Sequence, residues 1–319
     1  MKFIKAKISH RTHRKLELES IVVGEQLVFD IWIKKDDEYL IIIKAGTLLI
    51  EKIYHQLQLQ KNLYISLNDI DQLTLTSSSL LRYIQHNQNK GQKTIEFLYE
   101  VNNRLFTEFF ASERNLIDTT SVDAIVKSII YLVKNNPKYL KETIAYFNDA
   151  CALEFHSIHV AIYAVSLSYC LDFKDEELLR IGTAGLLHDL GKKVINDNIT
   201  KKESKLNLQE MQTMQEHSKF SVDIVKKNHI YNPYIVEAIM HHHEALDGSG
   251  YPEHLTSKDI TPFAAILSIC DNFDALTSDR PYRDKYSTFE ALKKIMKEES
   301  MVNKFNQEYL RIFLESLLA

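Results

Sequence analysis

The run Ile181-Gly182-Thr183-Ala184-Gly185-Leu186-Leu187 is small, apolar and uncharged, and it ends in His188-Asp189. Closing such a segment with an ionisable pair is costly unless the pair is partnered or bound to a metal. The chain must therefore build a helical core around a polar centre, and the two glycines let neighbouring backbones approach. Successive helix residues point about 100° apart. One ion could engage both side chains only at a helix end; alternatively, two ions could share the aspartate, since a carboxylate can bridge two cations.

Histidine is unusually dense around this pair. Nine of the 13 histidines fall between residues 156 and 254, where a uniform spread would put roughly four. A neutral imidazole nitrogen near pH 7 makes histidine the commonest transition-metal ligand. His156 and His159 lie on a helical stretch whose Ile158, Ala161, Ile162 and Val165 form an apolar stripe. Taken alone, both read as packed or capping residues. His241-His242-His243-Glu244 follows the apolar segment Ile235–Met240 and leads into Asp247-Gly248-Ser249-Gly250-Tyr251-Pro252. Asp271 follows the apolar segment Phe263–Ile269 and needs a partner. Downstream, Arg280 and Arg283 offer guanidinium forks suited to phosphate oxygens; a surface ion-pair network is the plainer alternative for them.

The organisation around these residues is mainly helical. Ile21–Val23, Leu27–Ile33 and Tyr39–Ile43 read as strands, with Asp36-Asp37 as a hairpin turn and Gly46 as a break. A short helix is expected from Glu51, and Leu63–Ser66 reads as a closing strand. The basic N-terminus lacks an apolar core of the secretory kind and reads as a solvated leading strand. The segment from Asp69 to Ser79 is polar. From Leu80 onward apolar residues recur at helical spacing, Asp118-Thr119-Thr120 signals an N-cap for a helix over Val122–Asn135, and Pro137 opens another. The expected division is a small α+β regulatory domain with a helical connector over 1–115 and an all-α domain over 116–319. A net charge of −4 supplies no overall field for a nucleic-acid polymer. No stretch approaches the ~18 apolar residues of a membrane span. Cys151, Cys170 and Cys270 form no CxxC pair and read as reduced, mostly buried residues. Together these features lead us to expect a cytoplasmic protein.

In this order, His188-Asp189-Leu190-Gly191-Lys192, His242-His243-Glu244 with Asp247-Gly248-Ser249-Gly250-Tyr251-Pro252, and Asp271–Arg283 resemble the HD-GYP family of HD-domain metal-dependent phosphohydrolases. The resemblance is strong over about Glu154–Tyr286. It implies an all-helical domain with a centre of two or three metals, usually iron or manganese, that hydrolyses cyclic di-GMP. The family's metal ligands fall on His156, His188, Asp189, His217, His242, His243 and Asp271. Lys192 matches a phosphate-contacting lysine, Tyr251 the tyrosine of the GYP loop, and Arg280 and Arg283 the substrate-phosphate positions. Two departures stand out. Three-metal members carry a glutamate one helical turn before the first histidine, where this chain has Ala152, so two metals are expected. The loop after Lys192 also lacks the family's usual proline and glycine.

Two divalent cations held by imidazoles and carboxylates lower the pKa of a water from ~15.7 toward ~7 and neutralise the non-bridging phosphate oxygens. The expected arrangement has Asp189 as the bridge, His156, His188 and Asp271 in one site, and His217, His242 and His243 in the other. Donors without thiolate suit iron or manganese, and zinc is compatible by ligand type. The resulting expectation is a cyclic di-GMP phosphodiesterase producing linear pGpG, with onward hydrolysis to GMP left open. Its competitors are a non-catalytic cyclic-dinucleotide-binding signalling module and an HD phosphohydrolase acting on another nucleotide or phosphomonoester. Cyclic GMP-AMP stays open as the substrate. Further expected partners are a second copy of the chain, through helix packing around Leu80–Phe110, and signalling proteins at the GYP loop.

Overall fold

The computed structural model describes residues 12–16, 18, 21, 23–24, 26–35, 38–60, 62–66, 80–81, 83–85, 92–136, 153–202, 204–278, 285–298 and 301–318. The chain divides into two units, Met1–His86 and Asn87–Ala319.

The first unit holds a four-stranded antiparallel sheet. Strands β1 (His13–Lys15), β2 (Ile31–Lys35), β3 (Glu38–Ile43) and β4 (Leu63–Ser66) lie in the order β1-β4-β2-β3. Helix α1 (Glu51–Gln58) contributes Leu57 to a core with Ile31, Leu49, Leu63 and Ile65. The strand expected over Leu27–Ile33 begins only at Ile31. Before it, the Asp30 carboxylate accepts from the Ala45 N–H at 2.8 Å, and Leu27 pairs with Thr47 and Gly46. These turn bonds occupy groups that a ladder would need. Asp36-Asp37 lies outside the described residues, though Lys35 and Glu38 on either side are paired.

The second unit is helical among its described residues: α2 (Gln92–Ala111), α3 (Thr119–Asn135), α4 (Leu153–Cys170), α5 (Asp175–Leu187), α6 (Leu208–Gln215), α7 (His217–Lys227), α8 (Pro233–His241), α9 (Pro262–Thr277), α10 (Thr288–Lys297) and α11 (Gln307–Leu318). A 3-10 turn spans Leu190–Val194 and a single helical turn Asp197–Thr200. Asp118 caps α3 by accepting from the Thr120 N–H at 3.0 Å. The helix expected to start at Pro137 lies outside the described residues.

At the centre, α4 and α5 cross closely enough that a Cβ on Gly185 would stand 2.8 Å from the Ala161 Cα. Helix α4 is buried around its whole circumference from His156 to Leu167, because α3, α5, α9 and α11 pack around it. A wholly enclosed helix has no polar face, so the stripe expected there is part of a larger apolar surface. Helix α2, grouped with the N-terminal region in the sequence reading, packs on α3 and α4 within the second unit. Cys270 is buried on α9, whereas Cys170 is exposed at the end of α4, where the chain turns away from the core. Cys151 lies outside the described residues. Among the described residues, no helix is long and apolar enough to cross a membrane.

Candidate metal centre

Three of the histidines are set by one local device. His188 and His242 directly follow the ends of α5 and α8, and His217 opens α7 just after α6 ends. Each donates Nδ1–H to the carbonyl three residues back: His188 to Gly185 at 2.8 Å, His217 to Met214 at 2.7 Å and His242 to Ile239 at 2.7 Å. A carbonyl only accepts, so Nδ1 holds the proton and a neutral ring leaves Nε2 bare. Helix ends leave such carbonyls without intrahelical donors. The same bond therefore completes the helix and aims the ligand atom.

The Nε2 atoms converge. His217 Nε2 lies 3.3 Å from His242 Nε2, and His188 Nε2 lies 3.3 Å from His156 Nε2. Burial pushes His217 and His242 down to about 4 and lowers His188, while His243 is driven well below its ordinary value by burial and by the neighbouring His242. Neutral imidazoles are what a metal requires. His156 goes the other way. Burial would lower it, but its bonds to Asp189, Asp271 and Asp274 outweigh that and raise it well above the usual value.

Asp189 stands between the two groups. Its Oδ2 is 3.4 Å from His156 Nε2 and 3.5 Å from His188 Nε2, and its Oδ1 is 3.3 Å from His217 Nε2. Burial would raise this carboxyl, yet Lys192, His188, His156 and His217 hold it well below the usual range. Asp271 is likewise kept ionised against its burial, chiefly by the His156 bond at 3.1 Å. Donor atoms of His217, His242 and His243 lie within 4.8 Å of one another, as do those of His156, His188 and Asp271, and those of His188, Asp189 and His242.

The residues present fit divalent cations, because the buried Asp189 Oδ1 has no donor. Its near neighbour, His217 Nε2, carries no proton either. Two electron-rich atoms facing each other in a buried site would be stabilised by a cation that both could ligate.

Tyr251 closes one side. Its ring stacks on His243 with centroids 4.7 Å apart, and its N–H donates to the His243 carbonyl at 3.2 Å. Lys192 Nζ donates to Asp189 Oδ2. Arg280 and Arg283 lie outside the described residues, as do Ala152 and the side chain of Glu154. His241 points away from the cluster, toward Glu253 at 3.5 Å.

Two residues were not singled out from the sequence. Asp274 accepts from Nδ1 of both His156 and His159, at 2.7 and 2.9 Å. Glu244, buried behind the histidines, accepts from the N–H groups of Glu253 and Leu255 at 2.6 and 3.0 Å. The signal for Asp274 was its spacing: three residues after Asp271 on one helix, it shares a face with it.

The HD domain family model matches residues 127–306. The cyclic di-GMP phosphodiesterase PA4108 of Pseudomonas aeruginosa is 29% identical over 201 residues, covering 63% of this chain and 48% of that protein. The 3'3'-cGAMP-specific phosphodiesterase 2 of Vibrio cholerae is 33% identical over 161 residues, covering 50% and 30%. The response regulator RpfG of Xanthomonas campestris, a cyclic di-GMP phosphodiesterase, is 38% identical over 125 residues, covering 38% and 32%. The chain thus spans less than half the length of these curated relatives. Among solved structures, Bd1817, an HDG"Y"P protein from Bdellovibrio bacteriovorus, superposes with a TM-score of 0.60 at 17% identity, covering 96% of this chain and 100% of that one, a likeness of fold. The chain belongs to the HD domain family.

Proposed function

We propose that the chain is a phosphodiesterase that hydrolyses a cyclic dinucleotide, cyclic di-GMP in the first instance, to the linear dinucleotide at a centre of two divalent cations. The observation that carries this reading is Asp189. Its two buried oxygens face separate groups of imidazole nitrogens, and one of them has no donor.

In this reading His156, His188 and Asp271 would hold one cation, His217, His242 and His243 the other, and Asp189 would be shared between them. Iron or manganese is the favoured metal for these nitrogen and oxygen donors, with zinc also compatible. When bound, the cations supply a nucleophile at neutral pH and charge neutralisation at the phosphate. The chain's own residues do the rest. The backbone carbonyls of Gly185, Met214 and Ile239 keep three rings in the tautomer that presents Nε2. Lys192, whose Nζ lies against Asp189 Oδ2, would be placed to meet a non-bridging phosphate oxygen as charge develops on it. Tyr251, held flat against His243, walls the site on the GYP side. Arg280 and Arg283 are the candidates for the second phosphate. The helical unit is the catalytic part, and the N-terminal sheet unit is regulatory.

The test is anaerobic purification with metal quantitation and turnover of cyclic di-GMP on one sample, with 3'3'-cGAMP in parallel. Relatives named for both substrates make the parallel assay necessary. Two metals per chain with a linear dinucleotide appearing is the expected result. Two metals with tight nucleotide binding and no product would replace the enzyme by a sensor module. A chain that takes up no metal would overturn the reading.

A further inference from the structure

The 3-10 turn Leu190–Val194 carries Lys192 between two walls. On one side the Gly191 N–H donates to the Ser221 hydroxyl at 2.7 Å, and a Cβ on Gly191 would fall 2.1 Å from the His217 carbonyl oxygen. On the other side the next residue, Lys193, reaches the C-terminal end of α2. Its Nζ donates to the carbonyls of Phe109 at 2.5 Å and Ser112 at 2.6 Å, and sits 4.4 Å from the centre of the Phe109 ring.

This contact has a physical reason. The last carbonyls of a helix lack intrahelical donors and carry the negative end of its dipole. Helix α2 has no basic residue in its own last turn. Lys193 supplies that cation from a separation of 84 residues. The loop that follows α2 is tied in turn by Asn228, just past α7, whose Oδ1 accepts from the Ile117 N–H at 3.0 Å and whose Nδ2 donates to the Asn115 carbonyl at 2.9 Å. Segment 109–117 is thus fastened both to the turn that bears Lys192 and to the helix that begins at His217. Successive residues of a 3-10 helix point about 120° apart, so Lys193 can face α2 while Lys192 faces Asp189.

We infer that Lys193 is a positioning residue: by anchoring the 190–194 turn to the carbonyl end of α2, it fixes where the Lys192 ammonium sits and makes the reaction depend on the placement of α2. The inference rests on the reading of Lys192 as the phosphate-contacting lysine.

The test compares Lys193→Met, which keeps the stem over Phe109 but removes the ammonium, with Lys193→Arg, which restores charge and donors. Both are made in the full metal-loaded chain. In Lys193→Met, amide hydrogen exchange over 190–195 and 109–117 accelerates by about tenfold or more while α5 is unchanged. The kcat for cyclic di-GMP falls by about tenfold at unchanged metal content and KM. Lys193→Arg returns both toward wild type. Unchanged exchange in Lys193→Met, or faster exchange with unchanged kcat, overturns the inference. A wild-type chain that holds two metals but turns nothing over defeats the phosphodiesterase reading instead, and the exchange comparison then decides alone whether α2 holds the turn.

Discussion

Asp274 Oδ2 accepts from His156 Nδ1 at 2.7 Å, which turns the opposite nitrogen of that ring toward Asp271 and Asp189. A carboxylate behind a ligating histidine fixes the ring and raises its basicity. Burial would push the Asp274 carboxyl up, but His159 and His156 hold it well below the usual range, so it is an anion at any working pH. Asp274→Asn keeps the shape and removes the charge. Metal affinity at the His156 set is expected to fall about ten- to hundredfold, measured by titrating metal into the apo-protein.

The buried imidazoles make the metal-free protein acid-sensitive in a defined window. His217 and His242 fall from an ordinary value near 6.5 to about 4 because of burial. Between pH 6.5 and 4 the unfolded chain therefore binds protons that the folded one refuses, and stability decreases as pH falls. His156 is raised instead, so it is protonated in both states there and its stabilising contribution is lost only at higher pH. Asp189 and Asp271 are lowered and act below the window. Urea unfolding of apo-protein at pH 7 and pH 5 should differ by about 2 kcal/mol for each of the two histidines. Bound metal should raise stability at both pH values and leave that difference in place, because the unfolded chain still takes up the protons.

Glu244 fastens the loop that carries Tyr251, through the N–H groups of Glu253 and Leu255. In Glu244→Gln one of those donors meets an amide NH2, at a cost of about 1–3 kcal/mol for an unsatisfied buried group. Metal content should stay the same, because no ligand is lost. The KM for the cyclic dinucleotide should rise, and the 247–256 loop should become sensitive to limited proteolysis.

Gly191 has no room for a side chain. A Cβ there would stand 2.1 Å from the His217 carbonyl oxygen and 2.6 Å from the Ser221 nitrogen, both backbone atoms. Gly191→Ala is expected to cost about 1–3 kcal/mol by overpacking and to displace His217. Loss of one of two metals, read by elemental analysis beside a urea melt, is the expected signature.

Much of the fold was legible one segment at a time. Strands β3 and β4, the Asp118 cap and helices α3, α5 and α8 follow from local propensity, capping chemistry and hydrophobic period, which act over a few residues. The misreading at Leu27–Asp30 has a non-local cause: the Asp30 carboxylate bonds to Ala45, 15 residues away. The density of histidine and its company of acids pointed to a metal centre, and the motif resemblance named ligand positions.

What the sequence by itself determined was the kind of chemistry: nitrogen and oxygen donors at the ends of apolar helices, in a mainly helical chain that can bury them. What only the tertiary structure decided was the roles of residues that touch no candidate cation. Asp274 is 118 residues from the histidine it orients, Lys193 84 from the helix it caps, and Asn228 111 from the amide it receives. Hydrogen bonds and helix dipoles act over a few ångströms of space, and the distance along the chain between their partners leaves no local pattern to read. Folding alone brings those pairs together.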